Sequence, residues 1–146
     1  MAETETFSAE EKAAMKQRVA EVKAQRRSGA GAKKAEADLQ ACLDAIAALS
    51  GTDKEVAELL HRIVTTTAPS LAPKTWYGFP SYANADGKVI VFCKPGSKFK
   101  VRYTEVGFNE HAALDDGSMW PSQYAIVAVD DDVERKLTEL VSRAAG

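Results

Sequence analysis

The chain of 146 residues lacks most of the features that announce an activity. It has two histidines, two cysteines (Cys42 and Cys93) and no C-x-x-C pair, so a structural zinc site is not expected. Both cysteines sit among apolar neighbours and read as buried, reduced thiols, because free cysteine behaves as a small hydrophobe. No G-x-S-x-G elbow and no phosphate loop is present, and no serine or cysteine has a recognisable nucleophile setting. No acid–base pair stands out either, so the chain is not expected to be an enzyme. The longest uncharged run is the thirteen residues 117–129, interrupted by Pro121, whereas a membrane helix needs about 20 apolar residues. The first residues, Met1-Ala2-Glu3-Thr4-Glu5-Thr6, are acidic and polar, unlike a secretory leader, and the expected location is the cytoplasm. A net charge of −2 sets aside a nucleic-acid-binding polycation.

What is there describes one ordinary globular domain with an arm. Apolar residues make up 45% and charged residues 27%, too apolar for wholesale disorder. Ser8-Ala9-Glu10-Glu11 matches a capping box, predicting a helix over 9–27 whose apolar stripe is thin: Met15, Val19 and Val22 among alanines. A Gly/Ala/Ser/Lys stretch at 28–34 reads as a linker, and residues 23–34 carry five basic groups and no acid. That arm, 1–35, is either a solvated extension or a basic contact for an acidic partner, a protein or a nucleic acid. The main domain, 36–146, opens with two helical patterns: Leu39, Cys42, Leu43, Ile46 and Leu49, then Val56, Leu59, Leu60, Ile63 and Val64. Thr52 or Asp53 can cap the second, and Pro69 and Pro73 end it.

From Lys74 the period changes from 3.6 to 2. Runs at 81–85 and 88–93 flank Asp86-Gly87, a hairpin signal. Residues 98–104 alternate, Phe99, Val101 and Tyr103 against Lys98, Lys100 and Arg102, and are expected to form a strand with one buried face. Residues 124–129 read as a further strand, placed centrally. Asp130-Asp131-Asp132 opens a last helix whose acidic start suits the helix dipole. Helices, then strands, then a closing helix give an α+β class: an antiparallel sheet covered on one face by helices, with an N-terminal helical arm.

Of eleven aromatic residues, ten fall within residues 76–124. The densest group is Trp76-Tyr77-Gly78-Phe79-Pro80. Its rings either fill the core or line a concave pocket, with Gly78 taking a backbone conformation closed to other residues. The row Lys98, Lys100 and Arg102, spaced by about 7 Å along a strand, is either an anion-binding face or a solvent-facing one. Trp120, beside Pro121, is a candidate for the opposite rim of the same pocket. The imidazole and carboxylates of Glu110, His111, Asp115 and Asp116 are of the kind that binds hard or borderline cations weakly, and read otherwise as a solvated loop. His61 reads as a structural histidine.

Several of these segments together resemble the YdhG-like family, formerly a domain of unknown function. They are Pro69, the turn Tyr77-Gly78-Phe79-Pro80, the hairpin Gly87-Lys88 and the pair Lys98-Phe99. The resemblance spans roughly residues 39–103 and extends loosely to the closing helix; residues 108–120 and the arm depart from it. It implies a compact α+β domain, and for some members a frataxin-like iron-chaperone role through surface carboxylates. The expected function is therefore a cytosolic, non-enzymatic binding domain that handles weakly bound iron. The alternatives are a small-anion or small-molecule site built on the aromatic turn and basic strand, and a protein-interaction module.

Overall fold

The computed structural model describes residues 9–28 and 31–146, with side chains from 20 to 28 left aside. Among the described residues, five helices and one five-stranded antiparallel sheet make up the fold, as the α+β reading expects. The arm helix α1 (Ala9–Ser28) is followed by α2 (Ala32–Ala47) and α3 (Gly51–Thr67). Strands β1 (Ala72–Trp76), β2 (Phe79–Ala83) and β3 (Val89–Lys94) follow as a meander. A single helical turn, α4 (Gly96–Phe99), leads to β4 (Thr104–Phe108), β5 (Gln123–Ile126) and α5 (Asp131–Ala144). The strands lie in sequence order, β1-β2-β3-β4-β5. Among the described residues no helix is long and apolar enough to cross a membrane.

Alternation along the strands sorts their side chains onto two faces. Tyr82, Val91, Cys93, Val106, Phe108 and Ile126 point to one face and join the apolar stripes of α2, α3 and α5 in a single buried core. Phe79 and Phe92 are also buried but belong to the other face. There α1 approaches the sheet: Ala14 is buried, Lys98 Nζ donates to Gln17 Oε1 at 2.7 Å, and Lys100 Nζ pairs with Glu10 Oε1 at 2.8 Å. The closing helix is capped as its sequence suggests, Asp130 Oδ1 accepting from the Val133 amide at 2.8 Å. Ser8, the expected cap of α1, lies outside the described residues.

Two expectations about the strands and one about a helix cap are corrected. Residues 98–104 do not form a strand. The carboxylate of Asp53 accepts the amides of Gly96 and Ser97 (2.8 and 3.1 Å), which fixes a helical turn there, and Lys100 follows at φ 58°. The strand starts instead at Thr104. The last strand is not central: β5 is an edge, with Gln123 and Ala125 exposed and Ile126 buried. Asp53 is not a cap, since the N-cap residue of α3 is Ser50 and no side chain caps it.

The aromatic turn joins β1 and β2 as a two-residue hairpin, with Tyr77 at φ 52° and Gly78 at φ 82°. Positive φ at both central residues is what a type I′ turn demands, and it matches the twist of the strands. Tyrosine rarely takes this conformation; its ring packs edge-on against Trp76 with centroids 4.9 Å apart. A Cβ on Gly78 would lie 1.9 Å from Gln17 Oε1 and 2.8 Å from Lys98 Nζ. Gly78→Ala is therefore expected to cost about 1 kcal/mol through the left-handed backbone and to loosen α1 from the turn. Thermal unfolding reads the first effect, and faster amide exchange within residues 9–19 reads the second.

Candidate functional site

The open face of the sheet and α1 enclose a cleft of about 440 Å³. Its floor follows from strand register. Trp76 pairs with Phe79 across β1 and β2, and Phe92 pairs with Gly107 across β3 and β4. Because Gly107 has no side chain, the end of the Phe92 ring packs directly against its backbone: a Cβ there would sit 2.2 Å from Phe92 Cζ. Trp76, Phe79 and Phe92 then meet with centroids 5.3 to 5.8 Å apart, and Phe99 of α4 adds a further wall 6.2 Å from Phe79. Tilted and edge-on contacts at such separations suit the ring quadrupoles.

The polar rim comes from the same strands one or two positions on. Lys94 and Glu105 are direct partners across β3 and β4, both half-buried and both on the cleft. Lys94 Nζ lies 4.6 Å from the centroid of the Phe99 ring, a cation–π contact. Asn109 and Gln123 supply amides, and Glu11, Ala14 and Met15 of α1 close the remaining side. The site thus offers a wall of tilted and edge-on aromatic rings, one ammonium, one sheet carboxylate and two amide groups.

Of the residues singled out in the sequence, Trp76, Tyr77 and Phe79 line this cleft. Trp120 lies outside it, 37% exposed on the loop before β5, and the far rim is Asn109 and Gln123 instead. The basic row is not assembled. Lys98 sits in α4 and donates to Gln17, Lys100 has turned to Glu10, and exposed Arg102 borders a separate groove beside Ser97 and Thr104. Lys94, one strand earlier, is the lysine at the aromatic wall; the alternation Phe92-Cys93-Lys94 is the signal that carries it. Phe92 of β3 and Phe99 of α4, neither singled out as a site residue in the sequence, are part of the cleft.

The expected cation set is not brought together. Among the described residues, no three His, Cys, Asp or Glu side chains are arranged to hold a metal ion. His111 Nε2 is 4.0 Å from Glu110 Oε1, both are solvent-exposed, and Asp115 and Asp116 lie exposed on the following loop. These residues do not fit a preformed iron site. Most of the basic stretch 23–34 lies outside the described side chains, while Lys34 pairs with Asp38 of its own helix at 3.1 Å.

Two buried polar groups lie on the helix side of the sheet. Cys42 Sγ donates to the Tyr82 oxygen (3.8 Å), leaving the Tyr82 hydroxyl for His61 Nδ1 (3.0 Å). Burial pushes the Cys42 thiol up to about 11, against the Tyr82 and backbone Ser81 hydrogen bonds, and burial lowers the His61 imidazole. A neutral thiol and a neutral imidazole make this a structural chain, and both cysteines are free and buried, as expected. The second group is Asp53, which bonds Gly96, Ser97 and Thr104.

In comparisons with known proteins, no family model, no curated protein and no solved structure matches this chain.

Proposed function

We propose that this chain is a cytoplasmic, non-enzymatic binding domain for a small organic molecule with a planar or bulky apolar body, held in the aromatic cleft. The observation that carries the reading is the wall of Trp76, Phe79, Phe92 and Phe99 beside Lys94 and Glu105. Small-molecule sites are concave, mostly apolar and furnished with a few fixed polar groups, at volumes of about 300 to 1,000 Å³. This cleft has each property. The iron-handling role implied by the YdhG-like resemblance finds no ligand cluster among the described residues to support it.

Trp76 reports on the site from within, and Trp120 is outside it. A panel of aromatic acids, amines and neutral heterocycles should include members that shift the Trp76 indole signal saturably in proton–nitrogen NMR spectra and leave that of Trp120 unmoved. Phe99→Ala should weaken such binding about tenfold, the scale of one well-placed ring contact together with its buried area. A Trp76 signal that no panel member moves would overturn the proposal.

A further inference from the structure

We infer that the cleft takes a zwitterion, an amine and a carboxylate on one small molecule with an aromatic body, of the α-amino acid class. The inference rests on reading the cleft as a small-molecule site. It comes from the relation between Lys94 and Glu105. Opposite charges directly across two antiparallel strands ordinarily pair with each other. Here they face the same cleft as register partners, yet the Lys94 ammonium is turned onto the Phe99 ring at 4.6 Å. Among the described residues neither side chain forms an ion pair.

Two opposite, half-buried charges therefore stand side by side at the mouth of an aromatic pocket. A ligand with a single charge would satisfy one and leave the other, half-buried beside it, without an ionic partner, which costs free energy. A zwitterion answers both. Its two charged groups are a few ångströms apart, matching residues that oppose each other across neighbouring strands at about 5 Å between Cα atoms. With the carboxylate on Lys94 and the ammonium on Glu105, an aromatic side chain extends over Phe92 toward Trp76. The amides of Asn109 and Gln123 can donate and accept alongside.

The test uses the full chain carrying Trp120→Phe, so that Trp76 is the sole tryptophan, titrated by fluorescence with three probes. L-phenylalanine has both charges, 3-phenylpropionate the carboxylate alone and 2-phenylethylamine the ammonium alone. Phenylalanine should bind at least tenfold more tightly than either half-ligand. Lys94→Met should remove its advantage over phenylethylamine, and Glu105→Gln its advantage over phenylpropionate, while Lys94→Arg retains both; thermal unfolding verifies that each variant is folded. A half-ligand that matches phenylalanine within about twofold overturns the zwitterion and leaves the cleft standing. If phenylalanine is silent while other aromatic probes move Trp76, the zwitterion alone falls. If every probe is silent, both readings fall.

Discussion

Asp53→Ala is expected to lower the free energy of unfolding by about 3 kcal/mol, read as a shifted midpoint in urea with an unchanged slope. Asp53 is 7% exposed, and its carboxylate accepts four hydrogen bonds, from the amides of Gly96 and Ser97 and the hydroxyls of Ser97 and Thr104, at 2.5 to 3.1 Å. It ties the first turn of α3 to the connection between β3 and β4, more than forty residues away. Removing it leaves several donors in a buried place without an acceptor, which costs more than the bonds themselves contributed. Asp53→Asn should recover only part of the loss, because its NH2 group faces donors.

The same group fixes a dependence on pH. Burial raises the Asp53 carboxyl, but the hydrogen bonds from Ser97, Thr104 and the backbone of Gly96 and Ser97 outweigh it, and the group sits below the ordinary carboxylate range. A carboxyl lowered on folding stabilises the native state above its unfolded value of about 4. That stabilisation is lost as pH falls through the folded value. The gap between the parent chain and Asp53→Ala should hold from pH 7 to about pH 5 and narrow below about pH 4. An equal gap at pH 7 and pH 3 would show that the charged form is not what matters.

Asp53 also explains where the sequence misleads. Residues 98–104 alternate apolar and charged side chains as cleanly as a strand, and nothing local forbids one. A carboxylate on α3 captures the amides at 96 and 97, and the chain enters the sheet only at Thr104. A contact across that span has no local signature, so the basic row of Lys98, Lys100 and Arg102 dissolved with the strand that was to carry it. The helices and the β2–β3 hairpin were legible because each rests on local chemistry: apolar spacing in α2 and α3, Asp86-Gly87 in the turn, Asp130 at the start of α5. The aromatic turn was legible as a site but not as a hairpin, since Tyr77 stands where Asn or Gly is usual in a type I′ turn. Glu105 and Gln123 were invisible as site residues because placing them requires the register of β4 and β5.

Gly107→Ala tests the architecture of the cleft at its centre. A single methyl at this position would lie 2.2 to 2.8 Å from three atoms of the Phe92 ring, so ring and backbone cannot both stay in place. Phe92 is 5% exposed and held between Trp76 at 5.3 Å and Phe79 at 5.6 Å, so the ring can move aside only by disturbing its aromatic neighbours. Overpacking of this kind costs about 2 kcal/mol. The variant should also lose its near-ultraviolet aromatic dichroism and bind any cleft ligand at least tenfold more weakly. Phe92→Leu shortens the side chain that blocks the methyl, at its own cost of lost ring contacts. If the steric account holds, the double variant Gly107→Ala/Phe92→Leu is more stable than the sum of the two single effects predicts, by at least 1 kcal/mol, as neighbours that share a cavity do. Additive effects would mean that Phe92 does not depend on the missing side chain at 107, and the aromatic floor would lose its explanation.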